Sequence, residues 1–146
     1  EVVAGAAFTC AHKSDNTVWC WGYNQDGQLG RNFQSYAEPV PAEVEGLGPV
    51  DAVWAGADAA CARKADGSVW CWGAGYFAQS SLGFRTTPLA ERSGELTGAT
   101  ELAMGGLGGC AQIAGSVKCW GDGRFGQLGN GAIDVRKPRT VALTCP

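Results

Sequence analysis

Several features that would point to a familiar class of function are missing from this sequence. No cluster of lysine or arginine residues occurs, and the formal net charge of the 146 residues is −3. Binding to nucleic acid through neutralisation of its phosphates is therefore not expected. No apolar run approaches the roughly 20 residues that a transmembrane helix requires. The single histidine, His12, has no acid, base or nucleophile recurring beside it, so we expect no enzyme activity.

Leader, cofactor and metal motifs are also missing. The chain begins at Glu1 without an initiating methionine or a signal peptide, which is expected of a processed chain or an excised piece. No CxxCH motif is present, so covalent haem attachment has no support and no cofactor is predicted. The aspartates Asp15, Asp26, Asp66 and Asp122 lie beside turn residues. Turn chemistry accounts for them better than calcium does, and no metal site is predicted.

What the sequence does contain is a block of about fifteen residues that occurs three times. The copies read FTCAHKSDNTVWCWG, AACARKADGSVWCWG and GGCAQIAGSVKCWG. An apolar run ending in glycine precedes each copy, and a glycine-rich stretch and a proline-led segment follow it. Internal periods of this size are typical of solenoids, propellers and arrays. We predict one partial domain made of three repeats, which span residues 1–46, 47–95 and 96–146.

Alternating hydrophobicity predicts β-strands in every repeat and no convincing helix. In the first repeat the pattern predicts strands over residues 2–4, 9–13, 17–21 and 39–44. The spacing from Cys10 to Cys61 is 51 residues, so each unit holds about four short strands, which is the composition of a propeller blade. We therefore predict an all-β fold in which each repeat forms a β-propeller blade of four antiparallel strands.

The positions of six cysteines predict one disulfide inside each repeat. Residues 14–16 and 65–67 suit three-residue hairpin loops, and the third repeat keeps only Ala114-Gly115 at this point. Counting outward from each loop places two cysteines opposite each other on a non-hydrogen-bonded rung, where Cα atoms lie roughly 4.5 Å apart, within disulfide range. The predicted pairs are Cys10–Cys20, Cys61–Cys71 and Cys110–Cys119.

Two alternatives exist for these cysteines, namely facing pairs of buried free thiols and zinc sites. Zinc is disfavoured because structural sites usually place two cysteines within about two to four residues of each other. Disulfides indicate an oxidising compartment, so we expect an extracellular, periplasmic or cell-surface location. Cys145 lies outside the repeated blocks, and the sequence leaves its pairing open.

A second motif follows each cysteine block. Residues 21–30 read WGYNQDGQLG, and residues 120–129 read WGDGRFGQLG with Gly123 in place of the asparagine. The second repeat keeps Trp72-Gly73 but has two extra residues before Leu82-Gly83. These motifs, in three copies in phase, resemble the regulator-of-chromosome-condensation repeat family over essentially the whole chain.

The resemblance implies a propeller that is usually closed by about seven blades. We expect the three repeats to be part of a larger ring, to complete a ring with other chains, or to form an open arc on a larger partner. In each copy a cysteine stands next to a position where the family often has histidine. In this respect the chain resembles a secreted, bacterial-like branch of the family with cysteine pairs inside the blades. A nucleotide-exchange role on a nuclear GTPase is not expected, because the basic chromatin-binding tail is absent. The tryptophan-cage motif of the plant ultraviolet-B receptor relatives is absent too.

Two sets of residues are candidates for binding. Trp19 and Trp21 share one face of their strand, as do Trp70 and Trp72, and we expect them to pack between blades rather than to stack on carbohydrate. The residues after each Trp-Gly and each Leu-Gly differ between repeats, and a propeller places such loops on one face. Aromatic and arginine side chains are enriched at binding hot spots, although tolerated loop variation is the alternative. The predicted binding residues are Tyr23, Gln25, Phe33, Tyr36, Tyr76, Phe77, Arg85, Arg124 and Phe125.

These observations together predict a non-enzymatic, extracytoplasmic, protein-binding propeller module. Its partners would be other protein chains or the remainder of the propeller, with no nucleic acid and no membrane span. The alternative is a structural subunit of a cell-surface or extracellular assembly. A secreted enzyme inhibitor is a narrower alternative, by analogy with β-lactamase-inhibiting propellers of the family.

The predicted disulfides can be checked by counting thiols. In the denatured but unreduced chain we expect at most one reactive sulfhydryl out of seven cysteines, because six are paired. Ellman's reagent or iodoacetamide labelling followed by mass spectrometry measures this number. Six or seven labelled thiols would contradict the pairing.

Overall fold

The computed structural model of this chain contains three four-stranded antiparallel sheets. It describes residues 1–74, 86–131 and 134–142, except for the side chains of 134–138. In each sheet every strand pairs with the next one along the chain. The strands are β1 Val2–Ala4, β2 Phe8–His12, β3 Val18–Asn24, β4 Ser35–Glu43, β5 Ala52–Ala55, β6 Ala59–Arg63, β7 Val69–Gly73, β8 Thr87–Ser93, β9 Ala99–Met104, β10 Gly108–Ile113, β11 Ser116–Asp122 and β12 Asp134–Thr140.

The predicted all-β architecture of four-stranded antiparallel blades is confirmed. We name the sheets blade 1 (β1–β4), blade 2 (β5–β8) and blade 3 (β9–β12). The first strands of successive blades are neighbours, β1 beside β5 and β5 beside β9. No helix with the length and hydropathy of a membrane span occurs in the described ranges.

The turn chemistry of the central hairpins agrees with the sequence pattern. Asn16 and Gly67 close the two three-residue loops with φ angles of 64° and 78°, in the left-handed region that asparagine and glycine tolerate. In the shorter third loop Ala114 and Gly115 both have positive φ, 49° and 77°, as a two-residue primed turn requires. The single-residue deletion is therefore absorbed entirely within the turn.

This turn geometry brings the six cysteines into three facing pairs. Cys10 lies opposite Cys20, Cys61 opposite Cys71 and Cys110 opposite Cys119. Each pair forms a disulfide with a Cα–Cα distance of 4.1 Å. Cys145 lies outside the described residues.

The third strand of blade 1 is longer than the sequence pattern predicts. Predicted to end at Trp21, β3 continues through Asn24, and its pairing with β4 is re-established after a register shift between Cys20 and Gly22. Tyr23 and Asn24 therefore belong to a strand rather than to a loop. The outermost strand β4 contains Pro39 and Pro41, which an edge strand accommodates because its outer side needs no N–H donors.

A glycine after the tryptophan is required at the same point in each blade. Gly22, Gly73 and Gly121 have φ angles of 114°, 100° and 108°. A Cβ atom on Gly73 would lie 2.4 Å from the carbonyl oxygen of Asp58 and 2.7 Å from Cα of Ala59. The neighbouring strand thus approaches too closely for any side chain.

Adjacent blades are joined by apolar cores and by repeated hydrogen bonds. Between blades 1 and 2, buried Leu29, Val53 and Trp72 belong to one cluster, and the indole Nε1 of Trp72 donates to the carbonyl of Gln28 at 3.0 Å. A second apolar cluster lies between blades 2 and 3, and blade 3 contributes Trp120 and Leu102 to it. These cores cover both faces of blade 2.

Hydrogen bonds between turns also connect successive blades. The N–H of Ala6 donates to the carbonyl of Ala57 at 2.8 Å, and the N–H of Ala57 donates to the carbonyl of Gly105 at 3.3 Å. In each case a turn after the first strand of one blade donates to the corresponding turn of the next. The turns therefore form a connected row along the β1, β5 and β9 side of the molecule.

The repeated tryptophans occupy equivalent positions but are not equally covered. Trp21, Trp72 and Trp120 face Thr9, Ala60 and Gly109, respectively, across the central hairpin. Trp72 and Trp120 are fully buried, whereas Trp21 is only half-buried. The prediction that Trp21 and Trp72 pack between blades is therefore correct for Trp72, which packs against blade 1, whereas the described residues place no blade against Trp21.

We expect Gly73→Ala to lower the free energy of unfolding by about 2–4 kcal/mol, since it adds backbone strain and a steric clash together. Gly94→Ala is the matched control, because a Cβ there meets no atom within 4 Å and its φ is not positive. Urea unfolding with the disulfides intact gives both values. Equal stabilities of the two variants would show that the glycine is not required.

Candidate functional site

Six of the nine predicted binding residues lie in the described part of the chain, at the ends of blades 1 and 3. Tyr23, Gln25, Phe33 and Tyr36 belong to blade 1 or to its β3–β4 connection. Arg124 and Phe125 follow β11 in blade 3. The three predicted residues of the second repeat, Tyr76, Phe77 and Arg85, lie outside the described residues.

The blade 1 residues form a local group around two tyrosines. The rings of Tyr23 and Tyr36 meet edge to face, with centroids 6.0 Å apart and planes at 81°. The hydroxyl of Tyr23 donates to Oε1 of Gln25. Together with Asp26, Gln34 and Ser35 these residues line an open recess of about 530 Å³.

The aromatic side chains of this group are available to a partner. Tyr36 is 77% exposed, and Phe33 is exposed as well. Tyr23 is half-buried, because it lies in β3 with the ring of Tyr36 against it. The group therefore presents apolar area on a strand and on the connection that leaves it.

A buried amide holds this connection in place. Nδ2 of Asn24 donates to the carbonyl of Phe33 at 3.0 Å and to Oγ of Ser35 at 3.4 Å, while its Oδ1 accepts from the N–H of Leu29 at 3.2 Å. Asn24 is fully buried, so losing these partners would be costly. The asparagine of the repeat motif is thus the residue that orders the binding loop.

The glutamine of the motif acts on the same loop in two blades. Oε1 of Gln28 accepts from the N–H of Asp26 at 2.9 Å, and Oε1 of Gln127 accepts from the N–H of Phe125 at 2.9 Å. Sequence reasoning recognised the motif that contains Asn24 and Gln28 but assigned these side chains no role. Gln28 recurs as Gln127 at the same position of the motif, and this recurrence was the signal that could have identified the glutamine.

The blade 3 residues are arranged differently, because Gly123 stands where blade 1 has Asn24. The carboxylate of Asp122 accepts from Nε of Arg124 at 3.0 Å and from its terminal nitrogen at 2.8 Å, as well as from its backbone N–H at 2.9 Å. These hydrogen bonds lower the pKa of Asp122. Phe125 follows directly and is 89% exposed.

The blade 1 group and the blade 3 pair remain two separate patches, since blade 2 stands between them. An acidic position lies between the first two blades at Asp58. Burial, reinforced by the nearby carboxylate of Asp26, raises the pKa of Asp58. Asp26 lines the same recess as Tyr23 and Tyr36, so an acidic side chain lies beside the aromatic rings of the blade 1 group.

The hairpin tips beyond the disulfides have a structural arrangement that repeats in blades 1 and 2. Asp15 accepts from the hydroxyl of Thr17 at 2.6 Å, and that hydroxyl accepts from the indole N–H of Trp19 at 3.1 Å. The ammonium of Lys13 hydrogen-bonds Asp15 and lies 4.9 Å from the centroid of the Trp19 ring. Hydrogen bonds from Lys13 and Thr17 lower the pKa of Asp15.

The same arrangement recurs in blade 2 with other residues. Asp66 accepts from the hydroxyl of Ser68 at 2.6 Å, which accepts from the indole of Trp70 at 3.1 Å, and Lys64 lies 4.2 Å from the ring centroid. A lysine of the same blade thus lies over each of these tryptophans. This arrangement disfavours the alternative of a carbohydrate-stacking platform, because the ring face is already occupied.

The lone histidine connects blade 1 to the segment that leads to blade 2. Nε2 of His12 lies 3.1 Å from the carbonyl oxygen of Val50, and Nδ1 lies 3.9 Å from the carboxylate of Glu1. In the described ranges no three histidine, cysteine, aspartate or glutamate side chains converge as a metal site would need. The contacts of His12 are those of a structural residue.

Comparison with known proteins identifies the repeat. Two family models, both described as the regulator of chromosome condensation (RCC1) repeat, match this chain, one over residues 1–28 and 50–79 and the other over residues 15–63. Together they cover residues 1–79, more than half of the chain.

Proteins with similar sequences are considerably longer than this chain. The ultraviolet-B receptor UVR8 of Arabidopsis thaliana is 29% identical over 141 residues, which are 92% of this chain and 32% of the receptor. The E3 ubiquitin-protein ligase HERC2 of Homo sapiens is 30% identical over 149 residues, 95% of this chain but 3% of the ligase. The chain thus spans about a third of the length of UVR8 and a small part of HERC2.

Solved structures of other proteins share the fold. Yeast RCC1 (Prp20), in a crystal structure with Kap60, superimposes with a TM-score of 0.86 at 20% identity, over 99% of this chain and 37% of that one. Human WBSCR16 gives a TM-score of 0.81 at 23% identity, over 97% and 37%. The three blades correspond to part of such a propeller and, given the matches to both family models, the chain belongs to the RCC1 repeat family.

Proposed function

We propose that this chain is a non-enzymatic, extracytoplasmic module that binds another protein through the residues that follow its Trp-Gly and Leu-Gly motifs. The observation that carries the proposal is the exposed aromatic group of Tyr23, Phe33 and Tyr36, which stands on an ordered frame in blade 1. The pair Arg124 and Phe125 in blade 3 forms a second contact patch.

The blade 1 group has the properties of an interface hot spot. Tyrosine and phenylalanine are enriched at interface cores and contribute large contact area with few rotatable bonds. The hydrogen bonds of Asn24 to Phe33 and Ser35 hold the connection in one conformation before any partner arrives. Binding would therefore cost little additional conformational entropy.

The blade 3 patch is ordered by charge. The pairing of Arg124 Nε with Oδ1 and of its terminal nitrogen with Oδ2 of Asp122 fixes the guanidinium plane, and the planar group can stack on a partner. Phe125 next to it exposes almost its entire ring. The negative charge at Asp26 and Asp58 favours a partner with a basic group opposite the blade 1 side.

The relatives support the coarser statement that RCC1-type propellers act in protein interactions. Yeast RCC1 was crystallised bound to Kap60, and the binding of Prp20p to Gsp1p and histones has been studied with its crystal structure. The match to the ligase HERC2 covers only 3% of that protein, so it supports no ligase activity for this chain.

The extracytoplasmic location is proposed from the cysteines. Three disulfides inside a chain of this size are rare in reducing compartments and common in secreted and periplasmic proteins. The disulfides of blades 1 and 3 join β2 to β3 and β10 to β11, and the residues of the proposed surface lie at or beyond the C-terminal ends of β3 and β11. In a reducing compartment the disulfides would be lost, and the central hairpins that support the proposed surface would be less stable.

The protein-binding surface can be tested with a photo-cross-linking amino acid at Tyr36, introduced into the chain in the cells that naturally produce it. We expect the cross-linker to capture one discrete protein. Phe33→Ala in the same chain should reduce the yield of this cross-linked species at least about tenfold, which corresponds to a loss of roughly 1.4 kcal/mol at a hot spot. The matched control places the cross-linker at Ser14, which is exposed at the opposite hairpin tip. Equal yields of one species from both positions would contradict the surface.

The location can be tested on its own in the same cells. Thiols are alkylated with N-ethylmaleimide before lysis, and the chain is followed by fractionation and mass spectrometry. We expect recovery outside the cytoplasm with Cys10, Cys20, Cys61 and Cys71 unlabelled, because they are paired. Recovery from the cytoplasm with these four cysteines alkylated would contradict the location while leaving the binding surface untouched.

A further inference from the structure

An open groove lies beside the end of β4, the outermost strand of blade 1. It has a volume of about 410 Å³ and is lined by Arg31, Phe33, Glu43, Val44, Glu45 and Gly46. We call it the Phe33 groove. Val44 is buried and forms its apolar floor, whereas Phe33 is 43% exposed and Glu45 and Gly46 are exposed at its rim. The groove therefore combines an aromatic ring, an apolar floor and a charged rim.

Both walls of the Phe33 groove are held by contacts between blades 1 and 2. The N–H of Asn32 donates to the carbonyl of Pro88 at 3.0 Å, and the N–H of Glu45 donates to the carbonyl of Gly30 at 2.8 Å. The ring of Trp72 packs on Gly30, where a Cβ atom would lie 3.1 Å from it. The shape of the groove is thus set by these two blades and depends on no segment before or after them.

Of the charged groups that line the groove, only Arg31 is engaged by its own chain. A terminal nitrogen of Arg31 donates to the carbonyls of Cys20 and Val40, which holds the guanidinium against the backbone. Within the described residues the carboxylate of Glu45 has neither an ion pair nor a hydrogen bond. Glu43 pairs with β3 across the sheet, so it lies on the opposite face of its strand from the groove floor. Glu45 is therefore the carboxylate that the groove leaves without a counter-charge.

Elsewhere in this chain an aromatic ring beside a carboxylate holds a cation. Nε of Arg63 lies 2.9 Å from the carboxylate of Asp51, and its guanidinium carbon lies 5.8 Å from the ring centroid of Trp54. A lysine is held in the same way at the hairpin tip of blade 1. In both places the cation pairs with the carboxylate and covers the ring. In the described ranges no lysine or arginine lies over the ring of Phe33.

We propose that the partner protein inserts a basic side chain into the Phe33 groove. Its methylene groups cover the ring of Phe33 and the floor at Val44, and its charged end reaches the carboxylate of Glu45, as long basic side chains do on mixed surfaces. The inference rests on the proposed function, because Phe33 belongs to the loop surface described above. It adds the chemical class of the group that this surface recognises.

Binding in the groove can be measured without knowing the partner. The probe is the peptide acetyl-Gly-Lys-Gly-amide, titrated into the isotope-labelled full chain and followed by NMR at the amides of Phe33, Glu45 and Gly46. The control peptide carries Nε-acetyllysine, which keeps the methylene groups and removes the charge. Glu45→Gln removes the carboxylate of the groove, and Glu101→Gln removes the same charge at an exposed position of blade 3.

We expect the lysine peptide to shift these amides with a dissociation constant in the millimolar range, which is typical of a single side-chain contact. Acetylation of the lysine and Glu45→Gln should each raise that constant at least about threefold, because each removes one member of an exposed ion pair. Glu101→Gln should leave it unchanged. The amide spectra of both variants also show whether they are folded.

Three results of the titration would overturn the proposal. The first is the absence of any shift up to about 50 mM peptide, a concentration at which even a weak contact is populated. The second is an equal dissociation constant for the lysine and acetyllysine peptides. The third is a Glu45→Gln variant that binds the lysine peptide as tightly as Glu101→Gln does.

Cross-linking from Tyr36 separates this inference from the loop surface on which it rests. Glu45→Gln should reduce the yield of the cross-linked species at least about threefold, whereas Glu101→Gln should not. If Phe33→Ala lowers the yield and Glu45→Gln does not, the loop surface is supported and the basic side chain is contradicted. If no protein is captured, the loop surface is contradicted, and the peptide titration still decides whether the groove takes a basic side chain.

Discussion

The seating of a tryptophan from one blade on the Gly-Gln-Leu-Gly turn of the preceding blade is the contact on which the rest of the structure depends. Trp72 is fully buried and donates to the carbonyl of Gln28, so a large apolar ring and a directional hydrogen bond fix the same interface. A sheet of four strands cannot bury both faces alone. Blade 2 is covered on both faces, because its Trp72 packs against blade 1 and Trp120 of blade 3 belongs to the apolar cluster on the opposite face.

The two ends of blade 1 have different roles. At one end, Asp15 and Thr17 hold the indole of Trp19, and the disulfide Cys10–Cys20 closes the hairpin behind them. At the other end, Asn24 orders the connection that carries the exposed aromatic rings. Since the stabilising groups are local to the blade, the loop residues can differ between repeats without disturbing the interfaces between blades.

Contacts between blades and contacts with a partner protein depend on different features of the chain. The blades are joined by repeated groups, such as Trp72 and the turn at Gln28, whose geometry is that of the blade itself. The exposed residues Tyr36 and Phe125 differ between repeats and have no partner in the other described blades, so any recognition at these positions depends on the side chains alone.

The short-range features of the fold follow from the local sequence. Turn residues such as Asn16 and Gly67 set the hairpin register, and the register decided which cysteines face each other, because both depend on a few neighbouring residues. Only the tertiary structure decided burial. Trp21 and Trp72 stand in identical local sequence, VWCWG, yet one is half-buried and the other fully buried. Local pattern places a side chain on a face of a strand, whereas the coverage of that face depends on the blade packed against it.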